Sequence, residues 1–180
     1  MSESSRSVDT VLVGRARDGD VGAFNTLVDR HAASVYRVAL RLLGDPDDAS
    51  DATQDVFLRA WRALGGFRED SLFATWIYRM TTNRCLNQLR RQRPTTSLPE
   101  VMITTDAGPE RIAESRQQLA DLGRAMARLT PEQRAVLVLR EFEHCSHQQI
   151  ADTLGISVAS VKSRLHRARI VLVSAMQEWR

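Results

Sequence analysis

Apolar residues return every three or four positions from Val8 to Gln92, the spacing of amphipathic helices and not the alternation of strands. Phe24, Leu27, His31, Val35, Val38 and Leu42 form one such stripe. Asp20 can cap its start, and Gly44-Asp45-Pro46 stops its end. A second helix is predicted from about Ala49 to Ala63, opened by Asp47 and Asp48, whose charge suits a helix N-terminus. Gly65 and Gly66 then break the pattern, and Ser71 offers a cap for a third helix reaching Gln92.

The stretch "PTTSLPEVMITTDAGP" from Pro94 to Pro109 holds three prolines and a glycine among Thr and Ser with no sustained period, the composition of a linker. Beyond it, Leu119, Leu122, Met126 and Leu129 make another helical stripe. "TPEQ" at 130–133 is a capping box with proline at the first helical position, ahead of a helix holding Ala135 to Phe142. Ser146 and Gln149 form a second capping box. Ile150, Ala151 and Leu154 give the short helix after it an apolar face, and Gly155 ends it. Ser157 caps a last helix running to about Met176. No segment reads as a strand, so the predicted fold is all-α: two small helical domains joined by a flexible linker, the C-terminal one a helix-turn-helix.

A chain of 180 residues suffices for two such units, each with a modest core. Lys plus Arg exceeds Asp plus Glu by only three, but the pI near 9.4 and the preference for Arg point to a planar or phosphate-bearing partner. Cys85 and Cys145 lie far apart without any CxxC, so a disulfide framework is not expected and a reducing interior is the simpler context. The first twenty residues lack the apolar run of a signal peptide, and "IVLVSAM" is too short to span a bilayer. The expectation is a cytoplasmic protein.

The short capped helix, the glycine turn and the second capped helix make a pattern in which the second helix lies in the DNA major groove. At about 100° per residue, Val158, Val161, Leu165, Ala168 and Leu172 fall on one side, the predicted core face. The other side collects Ala159, Ser163, His166, Arg167 and Ile170. Lys162 and Arg169 flank one edge, Ser160 and Arg164 the other. Small residues near Ser157 with cations around them let a helix N-terminus approach base edges while the rim holds phosphates. A solvated basic helix would share the charge, but not the capped turn.

The same count divides the helix from Ser71 to Gln92. Ile77, Tyr78, Thr81, Thr82, Cys85, Leu86 and Leu89 group together. Trp76, Arg79, Met80, Asn83, Arg84, Asn87, Arg90 and Arg91 share the other side, without any Asp, Glu or Lys. Aromatics stack on unpaired bases, amides read base edges and arginines follow the backbone, so this face suits single-stranded or opened DNA. Packing of Trp76 and Met80 against a neighbouring helix is the competing explanation for those two residues. Cys85, on the apolar face, reads as a buried inert thiol.

His144, Cys145 and His147 lie within four positions and are all metal-ligating types. A structural zinc site needs four convergent ligands, whereas Ser146 must face the next helix as its cap. The stretch therefore reads as an exposed polar turn with no metal or other cofactor. A thiol near two imidazoles can have a lowered pKa, which leaves a redox role for Cys145 open.

Taken in order, "GDVGAFNTLVDRH", "DASDATQDVFLRAWRAL", "FREDSLFATWIYRMTTNRCLNQLRRQR", "LTPEQRAVLVLREFE" and "IADTLGISVASVKSRLHRAR" resemble bacterial RNA polymerase sigma factors of the extracytoplasmic-function group, the reduced type with only regions 2 and 4. The resemblance covers nearly the whole chain. It implies region 2 over residues 1–93, a linker over 94–113 and region 4 over 114–180. It also implies a specificity subunit without catalysis of its own, which joins core RNA polymerase, recognises promoter DNA and opens it. Asn83 and the loop from Phe67 through Ser71 to Phe73 then handle exposed −10 bases, alongside the strand face named above. Ser163, His166 and Arg167 fall where region 4 reads the −35 element.

For the polymerase contact, Asp51, Gln54, Asp55, Leu58 and Arg62 recur on one stripe of the second helix. An acidic helix start explains Asp51 but not Leu58 in line with Gln54 and Asp55. Two departures stand out: Ala159-Ser160 where many relatives carry glycine-threonine, bearing on −35 preference, and His147-Gln148-Gln149 where they carry tyrosine-glutamate-glutamate. The second removes acids near an inhibitor-facing surface, although an anti-sigma partner remains expected. The alternative class is a helix-turn-helix regulator that binds duplex DNA alone, which leaves the Trp76 to Arg91 face idle. An enzyme is disfavoured: the sequence offers no metal carboxylate pair, phosphate-cradling glycine loop or activated nucleophile.

Overall fold

The computed structural model of the chain describes residues 3–67, 72–91 and 122–177; the predicted linker, Leu119 and Ser71 lie outside these. The first unit comprises α1 (Glu3–Arg17), α2 (Val21–Leu43), α3 (Pro46–Ala63), a 3₁₀ turn (Leu64–Gly66) and α4 (Phe73–Arg91). Helix α2 is the centre, packed against the other three. Its Leu27, Val35, Val38 and Leu42 are fully buried with Val56 of α3 and Ile77 of α4, each burial contributing about 1.5–3 kcal/mol.

The caps set the lengths. Asp20 accepts the Ala23 amide at 3.0 Å at the start of α2. Gly44, at φ 78°, ends it in the left-handed conformation that glycine adopts without a Cβ penalty. The expected start of the next helix at Ala49 moves upstream to Pro46, because Gly44 alone is the stop. Asp45 caps α3 by accepting the amides of Asp47 and Asp48, each at 2.9 Å. Pro46 opens the helix, where its missing N–H is an orphan anyway.

Helix α1 begins well before the apolar period at Val8 and is tied to α2 by a buried carboxylate. Asp9 meets His31 Nε2 at 2.8 Å and accepts from Arg30 Nε at 2.8 Å. His31 therefore sits in the apolar stripe of α2 with a partner, which satisfies its ring while buried.

The second unit contains a helical stretch at 122–127, α5 (Pro131–Leu137), a π-helical continuation (Val138–Phe142), α6 (His147–Leu154) and α7 (Val158–Gln177). Both predicted capping boxes are formed, Thr130 with Gln133 and Ser146 with Gln149. Gly155, at φ 64°, makes the turn between α6 and α7. Ser157 accepts the Ser160 amide at 3.1 Å to start α7. The helix expected over Ala135 to Phe142 splits, as its second half widens into π-type turns. Among the described residues there is no strand.

The two units are docked. Helix α4 packs on α6, and α2 meets the π-helical segment. Arg134 threads between them, donating from Nη1 to the Leu42 carbonyl at 2.8 Å and from Nε to the Met126 carbonyl at 3.1 Å. A guanidinium there complements the carbonyl end of α2, and burial lowers its pKa from the ordinary value.

Candidate nucleic-acid interface

Helix α7 places its two faces as the residue period requires. Val161, Leu165 and Ala168 are buried against the rest of the unit, and Val158 and Leu172 are partly buried. Ser157, Ala159, Lys162, Ser163, His166 and Arg167 are exposed; Ser160 and Arg164 are half-buried at the edge. Arg167 donates to Ser163 Oγ at 3.0 Å, so two residues one turn apart act as a single polar group. Arg169 pairs with Glu141 at 2.7 Å, which offsets its charge on that flank.

Helix α4 sorts in the same way. Thr81, Thr82, Cys85 and Leu86 are buried, while Arg79, Asn83, Asn87, Arg90 and Arg91 are exposed. The two threonines satisfy their hydroxyls on backbone carbonyls one turn back, at Ile77 and Tyr78, each at 2.8 Å. Burial raises the Cys85 thiol to about 12.

The aromatic residues are placed differently from a free stacking platform. Phe67 is 5% exposed and Phe73 4%. Their rings join Trp76 in a cluster, with centroids 4.9 Å apart for Phe67 and Trp76 and 5.7 Å for Phe73 and Trp76. Trp76 and Met80 are half-buried against the core. The three rings pack on one another, and the outward polar residues of α4 form the open surface.

On α3, Asp51, Gln54, Leu58 and Arg62 are exposed along one stripe, with Leu58 at 59%. Asp55 is half-buried, its Oδ1 accepting from Arg59 Nε at 2.8 Å and its Oδ2 from Arg84 Nε at 2.7 Å. The hydrogen bond from Arg59, reinforced by Arg84, holds the Asp55 carboxyl below its ordinary pKa against partial desolvation. Arg84, assigned from the helical period to the strand face, thus bonds to the neighbouring helix.

The turn at 144–147 is half as expected. Ser146 caps α6, and His144 is exposed at φ 52°. Cys145, however, is buried, with its thiol toward the Glu143 carbonyl at 3.8 Å. Burial, then the charge of Glu143, raises the thiol to about 11, opposite to the lowered pKa that a reactive cysteine requires.

Sequence reasoning missed the residues that join the units. Tyr78 Oη donates to Glu143 Oε2, and Arg41 approaches Glu143 Oε1 at 3.6 Å while lying over the Phe142 ring at 4.2 Å. Tyr78 looked like one more core residue of α4, and nothing local marks a pairing across 65 positions. Docking also brings the two candidate DNA faces together. Asn83, Asn87 and Arg90 of α4 line one cleft of about 560 Å³ with Arg164 and Arg167 of α7, and Arg90 reaches Glu132 across it at 3.3 Å.

A family model described as Sigma-70 region 2 matches residues 27–95, and one described as Sigma-70, region 4 matches residues 119–172. The chain is 37% identical to the RNA polymerase sigma factor NccH of Alcaligenes xylosoxydans xylosoxydans, over 95% of this chain and 96% of the relative. It is 32% identical to the ECF RNA polymerase sigma-E factor of Escherichia coli K12, covering 97% of each. Among solved structures, CnrH in complex with the cytosolic domain of CnrY superposes with a TM-score of 0.75 at 28% identity, over 95% of this chain and 98% of that one.

Proposed function

The chain belongs to the extracytoplasmic-function group of RNA polymerase sigma factors, and from that membership we propose that it recruits core RNA polymerase to promoters by reading a −35 element with α7 and an opened −10 element with α4. The observation that carries this reading is the pair of outward faces. The exposed positions of α4 named above hold only arginines and asparagines, and the front of α7 carries small residues ringed by cations.

Each face has its own task. On α7, Ala159 and Ser163 allow close approach to the groove, His166 and Arg167 meet base edges, and Ser157, Ser160, Lys162 and Arg164 contact the flanking backbone. On α4, Asn83 and Asn87 read unpaired bases, and Arg79, Arg84, Arg90 and Arg91 follow the phosphates, with Trp76 and Met80 beneath. Phe67, Ser71 and Phe73 shape the loop in which a displaced base is held. The stripe Asp51, Gln54, Asp55, Leu58 and Arg62 docks on the polymerase. The protein's part is recognition and positioning, not catalysis. Residues 1–93, 94–113 and 114–180 serve as the polymerase and −10 unit, the linker and the −35 unit.

Two elements 25 base pairs apart are separated by roughly 85 Å of duplex, so faces that share one cleft cannot read both. The docked form is therefore the resting form, and the units part on polymerase. A protein partner favouring the resting form fits the complex solved for CnrH with the cytosolic domain of CnrY. No helix among the described residues is long and apolar enough to cross a membrane, which suits a subunit acting beside the polymerase. A gel shift tests the reading: promoter duplex is retarded specifically only when core polymerase accompanies the chain. Specific retardation by the chain alone would instead identify a stand-alone regulator.

A further inference from the structure

One carboxylate belongs to both surfaces proposed above. Asp55 lies on the α3 stripe, yet its Oδ2 takes the Nε of Arg84 from α4 at 2.7 Å, while Oδ1 takes Arg59. Arg84 also donates from Nη1 to Gln88. Both carboxylate oxygens and two nitrogens of the Arg84 guanidinium are thus engaged within the chain. The pair is only partly open to water, with side chains 26% and 31% exposed for Arg84 and Asp55, so solvent screens it less than a surface pair.

The groove around this bond has opposite walls. Asp48, Asp51 and Asp55 of α3, with Arg59 held on Asp55, face Asn83, Arg84 and Arg91 of α4 across a cavity of about 600 Å³. A phosphate following α4 would meet those carboxylates along one edge, and Arg84 would offer it a charge already offset by Asp55.

We infer that Asp55 couples polymerase binding to strand binding: in the free chain it holds Arg84 and masks the single-strand face, and a cationic polymerase surface on α3 takes over Asp55 and releases Arg84 to the displaced strand. The inference rests on the reading of α3 and α4 given above. Linkage makes the effect reciprocal, so whatever frees Arg84 for DNA also frees Asp55 for polymerase. The coupling calls for an Arg or Lys of polymerase opposite Asp55, because a charge-assisted hydrogen bond best replaces the one Arg84 gives up.

The test uses the full chain and a labelled single-stranded DNA of mixed sequence, followed by fluorescence anisotropy. Asp55→Asn should bind the strand roughly fivefold more tightly than wild type. Asp51→Asn, an equal change of charge on the same wall, should give a smaller gain, and Asp55→Asn with Arg84→Ala should give no gain over Arg84→Ala alone. Arg84→Ala should tighten binding to core polymerase by a few fold; a purely structural ion pair predicts weaker binding. This second readout decides the matter even if Asp55→Asn folds poorly. Equal gains for Asp55→Asn and Asp51→Asn, or weaker or unchanged polymerase binding by Arg84→Ala, would overturn the coupling. The underlying reading fails separately, if the wild-type chain assembled with core polymerase does not hold the strand at all.

Discussion

Tyr78 donates a hydrogen bond to Glu143 across the boundary between the two helical units, Oη to Oε2 at 2.8 Å. Glu143 is only 5% exposed at its side chain, and Arg41 stands 3.6 Å from its other oxygen, short of a hydrogen bond. Among the described residues neither Arg41 Nη1 nor Glu143 Oε1, both buried, has a hydrogen-bond partner. A buried charge pair that is only partly satisfied returns little stability for its desolvation, and water satisfies both groups once the units separate. The contact specifies how the units dock while leaving the docking breakable. Burial of the Tyr78 phenol, and then the charge of Glu143, raise its pKa, so the hydroxyl remains a donor throughout the physiological range.

Tyr78→Phe removes one hydrogen bond to a charged acceptor and should weaken docking by about 1.5–3 kcal/mol. Amide hydrogen exchange in α4 and α6 is the readout. Exchange should quicken in the residues packed between these helices while α1 and α3, which pack within the first unit, retain their protection. Unchanged exchange would show that Tyr78 does not hold the units together.

The two thiols give a prediction for pH. Cys145 is raised to about 11 and Cys85 to about 12, both chiefly by burial. A thiol whose folded pKa lies above its unfolded value stabilises the fold below the unfolded pKa, near 8.5, and that stability is lost as pH rises through the folded value. Denaturant midpoints should accordingly hold steady to about pH 8.5 and fall from there through the folded values of Cys145, about 11, and Cys85, about 12. At pH 8 a thiol reagent should react slowly with the native chain and promptly with both cysteines once it is unfolded. Prompt reaction of Cys145 in the native chain would restore the redox reading of the turn.

What was legible in the sequence was local. Asp20, the Thr130–Gln133 and Ser146–Gln149 boxes and Gly155 act within one turn of themselves, and each does in the structure what its type and spacing require. The faces of α4 and α7 were legible for the same reason, because the 3.6-residue period sorts side chains before any partner is known. Pro46 reads in sequence as part of a stop, but a proline two residues past a C-capping glycine serves equally as the first residue of the next helix. The partners of His31, Arg84 and Tyr78 were hidden, since Asp9, Asp55 and Glu143 lie 22, 29 and 65 positions away. Cys145 was expected at the surface because its neighbours are polar, but the chain leaves the π-helical segment with the thiol turned inward.

Arg167→Ala removes an exposed cation from the front of α7 and frees Ser163. A base-edge contact of the kind proposed for Arg167 is worth about 1–3 kcal/mol. Transcription from the cognate promoter should fall roughly tenfold, and pull-down of core polymerase should be unchanged. Equal loss of polymerase binding would place Arg167 in a different interface.

Asn83→Ala acts at a later stage. Its side chain is exposed on the α4 face proposed to hold the opened strand, so promoter recruitment should survive while opening fails. Permanganate footprinting should show weakened thymine reactivity in the −10 region at unchanged occupancy. Wild-type reactivity would remove Asn83 from the strand contact.

The most direct measurement of the central claim is run-off transcription with purified core RNA polymerase on genomic promoter fragments, with and without the chain. The account predicts transcripts from a defined subset of promoters that appear only when the chain is present, and that are lost when the α7 front is substituted. Transcripts that are identical without the chain, together with specific binding of the chain alone to promoter duplex, would contradict it.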